Sequence, residues 1–356
     1  MRAKKLLVGL GKLALSAALL GYLALHAARD AQFTELVRGP KNWPVLFTAL
    51  PVCLAAVTIT ILRWHLLISS LGLRFRLRQT LRAGFLGYLA NLLPFGLVAG
   101  DSLKAVMLIQ ENRQRKTEAV ASVIVDRVIG LYALLLLAAI ASLFLSAEQL
   151  ARLSPDDRLT IVRLCWVVQA VAVGSTFGLI VMLIPAVTQS RLWDLLEHTP
   201  WVGPVLHKLV GAMRTYRRRA DLLLVAVGVS LVIHLCYATS VVLMTRSIGI
   251  APEHQPAIGS IYIIVPPAMI AGALPIGVYE ITITLLFRAA SPPGAPPNMG
   301  LLIALAYRII QILIATIGVG YWLGGRREVS DLMHVVEEVP PKTDGAASET
   351  ISAVQT

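Results

Sequence analysis

Long apolar stretches, separated by short polar segments, make up most of this chain. Six of them have roughly the ~20 residues that a helix needs to cross a bilayer. They lie at residues 6–28, 44–62, 120–147, 161–185, 222–245 and 300–323. The pattern predicts an all-α polytopic membrane protein with about six full transmembrane helices.

Two further apolar stretches, 83–109 and 257–287, are each interrupted by proline and glycine. The limbs on either side of a break have about 11 to 17 residues, fewer than the ~17 to 25 of a full crossing. We therefore expect two re-entrant helical hairpins, each of which enters the membrane and returns on the same side. Two short complete crossings at each break are the alternative.

The two breaks share a motif. Leu-Pro-Phe-Gly at 93–96 recurs as Leu-Pro-Ile-Gly at 274–277, and 33 residues beyond each proline stands an arginine, Arg127 and then Arg308. Both copies are therefore 181 residues apart. A coincidence in a leucine-rich chain would not readily explain the equal spacing, so the pattern favours one structural unit used twice.

Basic residues concentrate at the ends of the apolar stretches. About 20 Lys or Arg fall on one side of the predicted membrane and about 7 on the other, which by the positive-inside rule places both termini in the cytoplasm. The first hairpin then enters from the inside and the second from the outside. The halves at about 44–147 and 222–323 thus form an inverted-topology repeat, an arrangement that permits alternating access.

Composition excludes several classes of protein. With 56% hydrophobic and 15% charged residues and a mean hydropathy of +0.73, the chain has no polar shell for a soluble domain. We expect one transmembrane domain over residues 1–328, whose first span is a retained anchor, and a disordered cytoplasmic tail over 329–356. The net charge of +12 comes without an aromatic-basic motif, so no nucleic-acid partner is expected.

No cofactor or metal site is expected. The three cysteines stand singly in apolar sequence and the seven histidines show no paired spacing, so neither residue type has the spacing of a metal site. Nucleotide-binding glycine motifs and a nucleophile elbow are also missing from the sequence. An enzyme is accordingly less well supported than a transporter.

Arg127 and Arg308 are the first candidates for a substrate site. An arginine at bilayer depth is unfavourable by several kcal/mol unless it has a counter-charge or faces water. Asp126 projects about 100° away from Arg127 on a helix, so the expected partner is Asp101 or a residue of another span. For Arg308 the nearby carboxylate is Glu280.

Two interpretations of these charges remain open. In one, the arginines and Lys104 face a shared cavity and bind a phosphate-bearing headgroup, because a guanidinium fork fits phosphate geometry. In the other, each arginine and its carboxylate form a structural lock. Both hold if the locks open during transport. The predicted substrate-binding residues are Arg127, Arg308, Asp101, Lys104, Glu280 and Asn91. The predicted structural breaks are Pro94, Gly96, Gly100, Pro275 and Gly277.

Several segments together resemble the integral membrane family of the lysylphosphatidylglycerol synthase flippase domain, over about residues 5–325. The segments that carry the resemblance are 63–67 (Arg-Trp-His-Leu-Leu), 91–101, 126–130 (Asp-Arg-Val-Ile-Gly), 275–280 (Pro-Ile-Gly-Val-Tyr-Glu) and 307–308 (Tyr-Arg). The sequence departs from the family in having Ala99 before Gly100-Asp101, where Gly-Gly-Asp is common. It also has no soluble synthase domain after the membrane region, so lysyl transfer is not supported.

The resemblance implies lipid translocation in a bacterial inner membrane, with re-entrant segments around Pro94 and Pro275 and cavity charges at Asp101, Arg127, Glu280 and Arg308. We expect a flippase for an anionic or polyprenyl-phosphate-linked lipid. One alternative is a membrane-embedded transferase that acts on a polyprenyl phosphate or a phospholipid. Another is a scaffold of an envelope-lipid assembly. A homo-oligomer, or partners in envelope-lipid biosynthesis, would be compatible with any of these.

Overall fold

A computed structural model describes residues 31–92, 97–184, 203–272 and 277–324. Within these ranges the chain forms twelve α-helices, two 3₁₀ turns (Arg217–Arg219 and Pro252–His254) and an isolated β-bridge between Lys41 and Ile248. The helices are α1 (Ala31–Arg38), α2 (Trp43–Ser70), α3 (Leu77–Leu92), α4 (Leu97–Glu111), α5 (Lys116–Leu143), α6 (Ala147–Ala151), α7 (Pro155–Leu183), α8 (Gly203–Tyr216), α9 (Ala220–Ser247), α10 (Ile258–Ala271), α11 (Val278–Ala290) and α12 (Met299–Gly324).

Five of these helices, α2, α5, α7, α9 and α12, are long and apolar enough to cross a membrane. They match five of the six predicted spans, and the sixth, at 6–28, lies outside the described residues. Large apolar side chains such as Phe47, Trp166 and Phe177 are exposed on their outer faces. Lipid would cover these side chains in a membrane, and the all-helical prediction is confirmed for the described part of the chain.

The two interrupted stretches form two pairs of shorter helices. α3 has 16 residues and α4 has 15, while α10 has 14 and α11 has 13. The connecting residues 93–96 and 273–276, which include Pro94, Gly96 and Pro275, lie outside the described residues. Within each pair the helices pack against each other.

The first pair begins earlier than its apolar sequence indicates. α3 starts at Leu77 rather than near residue 83, because polar side chains of its first turns find partners at the open end of the pair. Gln79 accepts a hydrogen bond from the backbone N–H of Arg76 and donates one to Glu111 at the end of α4. A hydrogen-bonded polar turn therefore extends the helix past its apolar boundary.

Packing between helices brings the interrupted pairs into the centre. α2 packs along α9, α3 packs on α12, and α10 packs on α5. The largest apolar cluster is built mainly from α2, α9, α10, α11 and α12. A second cluster joins α2 to α3, α4 and the start of α5. Both interrupted pairs thus contact long helices.

Candidate functional site

Arg127 on α5 forms an ion pair with Asp101 on α4. The Arg127 Nη2 donates to Asp101 Oδ1 at 2.7 Å, and its Nε contacts the other carboxylate oxygen. The Arg127 side chain is 39% exposed, more than any other member of the two predicted pairs. The prediction that Asp101 would be the partner of Arg127 is confirmed.

Asp101 is shared with a second cation, Lys104. The Lys104 Nζ lies 3.9 Å from Asp101 Oδ1 and 5.4 Å above the ring of Trp64, while its side chain is 9% exposed. An aromatic face attracts a cation, so Trp64 partly replaces the water that the ammonium group loses. Two cations therefore face one carboxylate, and the cluster has an excess of positive charge.

Arg308 on α12 forms the corresponding ion pair with Glu280 on α11. Arg308 donates from Nε at 3.0 Å and from Nη2 at 2.6 Å to the same oxygen, Glu280 Oε1. The other oxygen of Glu280 accepts the backbone N–H of Gly277 at 3.0 Å. Glu280 is fully buried, whereas the Arg308 side chain keeps 23% exposure. This second predicted pair is also confirmed.

Gly277 is required by the turn that begins α11. Its φ of +106° lies in the left-handed region, where glycine is strongly favoured. This conformation directs its N–H toward Glu280, which thereby caps the helix and pairs with Arg308. The predicted role of Gly277 as a break is consistent with this geometry.

Both arginines lie deep in their helices. At 1.5 Å per residue, Arg127 is ~16 Å from the start of α5 and Arg308 is ~14 Å from the start of α12. These helices have 28 and 26 residues, about 42 and 39 Å. Since the hydrocarbon layer measures ~30 Å, both guanidinium groups fall well inside it if the helices cross upright.

Asn91 and Gly100 join the helices of the first pair. Asn91 Oδ1 accepts the backbone N–H of Gly100 at 3.0 Å. A Cβ at Gly100 would collide with the carbonyl oxygen of Gly87 and with the Asn91 amide, so the two helices depend on glycine to approach this closely. The predicted substrate-binding residue Asn91 thus uses its side-chain oxygen for a contact within the first pair.

A third ion pair, in which both side chains are buried, was not anticipated from the sequence. Arg63 on α2 donates from Nε to Asp126 Oδ1 at 2.9 Å and from Nη2 to the Asp126 backbone carbonyl at 3.0 Å. Its Nη1 donates to Ser230 Oγ on α9 at 2.5 Å. Arg63 and Asp126 are both buried. The neighbours Asp126 and Arg127 thus face different partners, as their ~100° separation on a helix requires.

The ion pairs that α2, α4 and α5 form carry a net positive charge. They contain three cations, Arg63, Lys104 and Arg127, and two carboxylates, Asp101 and Asp126. The formal sum is +1 with every group ionised. Within the described ranges, no three His, Cys, Asp or Glu side chains come together as a metal site would require. The chemistry that this arrangement offers is binding of an anion.

Comparison with known proteins assigns the chain. Residues 9–318 match the family model described as the lysylphosphatidylglycerol synthase TM region. The chain belongs to this family. The resemblance predicted from the sequence is thereby confirmed, and the protein is a multi-pass membrane protein that acts on lipids. No curated protein and no solved structure matches it.

The segments that carry the family resemblance supply the polar interior of this lysylphosphatidylglycerol synthase TM region. Segment 63–67 contributes Arg63 and segment 91–101 contributes Asp101. Segment 126–130 contributes Asp126 and Arg127. Segments 275–280 and 307–308 contribute the Glu280–Arg308 pair. Residues far apart in the sequence thus form these ion pairs.

Proposed function

We propose that this protein translocates a phosphate-bearing lipid between the leaflets of a bacterial inner membrane. The lipid would be an anionic phospholipid or a polyprenyl-phosphate-linked lipid. One observation carries the proposal: in each half of the chain, an arginine deep in a long helix is paired with a carboxylate from the second helix of an interrupted pair. Interrupted helices and intramembrane charges together are typical of substrate sites in transporters.

The spacing of the helices supports an inverted repeat with two re-entrant hairpins. α3 and α10 begin 181 residues apart, as do α4 and α11, and α2 and α9 have 28 residues each. The packing is reciprocal, since α3 contacts α12 while α10 contacts α5. A two-fold axis that exchanged the halves would require this reciprocity.

The charges support a phosphate ligand. Arg127 and Arg308 keep 39% and 23% of their side-chain surface accessible, whereas Glu280 is fully buried. A guanidinium group binds two phosphate oxygens at once, so a phosphate can replace a carboxylate partner without leaving the arginine uncompensated. The excess positive charge of the cluster would be neutralised by a phosphodiester, which carries one negative charge.

Transport would proceed by alternate opening of the two half-sites while the acyl or prenyl tails stay in the bilayer. The Arg127 half-site is the more accessible one in this conformation. With both termini in the cytoplasm, it belongs to the hairpin that enters from the cytoplasmic side. The headgroup would therefore meet Arg127 from that side and Arg308 after the conformational change.

Leaflet exchange in proteoliposomes tests the proposal. The vesicles contain fluorescently labelled phosphatidylglycerol, and dithionite measures the fraction of label that has changed leaflet. Arg127→Ala and Arg308→Ala should each abolish the protein-dependent exchange. Arg152→Ala should not, because Arg152 is 60% exposed and pairs with Glu148 on a short surface helix. Equal rates for all three variants would reject the phosphate site.

A charge exchange separates phosphate binding from a structural lock. The double variant Asp101→Arg with Arg127→Asp restores an ion pair at the same place but moves the cation from α5 to α4. We expect restored thermal stability without restored exchange. Restored lipid exchange would mean that the pair is only a structural lock. Formation of a modified lipid in detergent would favour a transferase.

A further inference from the structure

Five of the nine tyrosines of the chain pack into or against the largest apolar cluster of the interior. They are Tyr88 on α3, Tyr237 on α9, Tyr262 on α10, Tyr279 on α11 and Tyr307 on α12. Tyrosine is an unusual choice for an interior surrounded by lipid, because each phenol brings a hydroxyl that needs a hydrogen-bond partner. The partners of these hydroxyls therefore bear on what the interior binds.

Tyr279 and Tyr307 are the sequence neighbours of the Arg308–Glu280 ion pair. Each is the residue before a member of that pair, and their ring centroids lie 5.6 Å apart. The contact between α11 and α12 thus includes both an acid–base pair and a ring–ring pair. The Tyr279 ring therefore packs at the same helix contact as the arginine that we propose binds phosphate.

The hydroxyl of Tyr279 has no partner among the described residues. Its oxygen is inaccessible, it forms no hydrogen bond, and the whole residue is 5% exposed. Most buried polar groups are hydrogen-bonded, so an unpaired one needs an explanation. By contrast, the hydroxyls of Tyr132, Tyr216 and Tyr262 each have a protein partner, at 3.0, 3.0 and 2.8 Å.

We propose that Tyr279 is a headgroup-binding residue whose hydroxyl donates to a phosphate oxygen of the lipid held by Arg308. The proposal rests on the proposed lipid translocation and names a further residue of the same site. A hydroxyl donor beside a guanidinium group would give a phosphate a third hydrogen bond. Among the described residues, no carboxylate accepts a hydrogen bond from the Tyr279 hydroxyl.

The test compares Tyr279→Phe with Tyr132→Phe. Each change removes one hydroxyl and keeps the ring, but only the Tyr132 hydroxyl already has a protein partner, Thr176. Loss of a hydrogen bond to a charged group corresponds to roughly a tenfold effect, so Tyr279→Phe should slow exchange of labelled phosphatidylglycerol about tenfold. Tyr132→Phe should leave the rate unchanged.

Thermal unfolding without lipid distinguishes binding from a structural role. Removing an unpaired buried hydroxyl should leave the midpoint of Tyr279→Phe equal to or above that of the unmodified protein. A lowered midpoint together with slower exchange would overturn the proposal, because the hydroxyl would then have a structural partner. Unchanged exchange in Tyr279→Phe while Arg308→Ala is inactive would also overturn it and leave lipid translocation intact. If Arg308→Ala is active too, the proposed function itself fails.

Short-chain ligands identify the source of the phosphate. Dioctanoyl phosphatidylglycerol should raise the unfolding midpoint of the unmodified protein, and raise it less in Tyr279→Phe. Inorganic phosphate at the same concentration should raise neither. Equal stabilisation by inorganic phosphate, dependent on Tyr279, would overturn the assignment to a lipid headgroup.

Discussion

Neutralising Glu280 should destabilise the protein more than neutralising Asp101. Glu280 is fully buried and accepts three hydrogen bonds, two from Arg308 and one from Gly277. In Glu280→Gln the carboxamide keeps the shape but leaves the Arg308 charge uncompensated inside the helices. Breaking a buried ion pair from one side reduces the free energy of unfolding by ~3 to 5 kcal/mol.

The matched change Asp101→Asn should have a smaller effect. Arg127 is 39% exposed, so solvent partly replaces the lost carboxylate, and a loss of ~1 to 2 kcal/mol is expected. At ~2 °C per kcal/mol, Glu280→Gln should lower the unfolding midpoint by roughly 6 to 10 °C and Asp101→Asn by roughly 2 to 4 °C.

Thermal unfolding in detergent, followed by the fluorescence of the six tryptophans, measures both effects. The double variant Glu280→Gln with Arg308→Gln should be more stable than Glu280→Gln alone, because it removes the unpaired cation. A loss for Asp101→Asn that equals or exceeds the loss for Glu280→Gln would refute the reasoning. So would a double variant whose losses simply add.

Two further predictions concern packing and the buried ion pair that sequence reasoning missed. Gly100→Ala should lower the unfolding midpoint, because the added Cβ collides with the backbone of α3. Gly174→Ala on α7 meets open space and should be neutral or stabilising. A midpoint that shifts in the same direction in both variants would contradict the close approach of α3 and α4. Arg63→Gln leaves Asp126 buried and unpaired, so it should reduce the free energy of unfolding by ~3 to 5 kcal/mol. The surface variant Arg152→Gln should reduce it by less than ~1 kcal/mol. Unfolding midpoints measure both effects.

Sequence reasoning succeeded where the physics is local. A run of apolar residues long enough to span a bilayer forms a helix in lipid because its backbone must satisfy its own hydrogen bonds. Helical periodicity likewise separates Asp126 from Arg127, which left Asp101 or a residue of another span as the expected partner. The Arg127–Asp101 and Arg308–Glu280 pairs could therefore be predicted before any contact was known.

Sequence reasoning failed where a residue has its partner on a helix that is distant in the sequence. The apolar stretch 44–62 ends just before Arg63, yet α2 continues to Ser70 with this arginine buried. The helix continues because α5 and α9 supply a carboxylate and a hydroxyl at the same depth. A signal was present, since Asp126 had no partner of its own within α5. Choosing Arg63 from the other arginines required the packing of three helices.

The two ion pairs differ in a way that bears on their purpose. Arg127 and Arg308 stand at the shared offset of 181 residues, but their carboxylates do not: Asp101 would correspond to Thr282, and Glu280 to Ala99. If the halves derive from one unit, the arginine has the same position in both halves, whereas the carboxylate has a different position on the helix that follows each break. A pure structural lock depends equally on both members. A phosphate site depends on the guanidinium group alone and needs only some counter-charge when empty, so the unequal placement favours the arginines as the part of each half-site that meets the ligand.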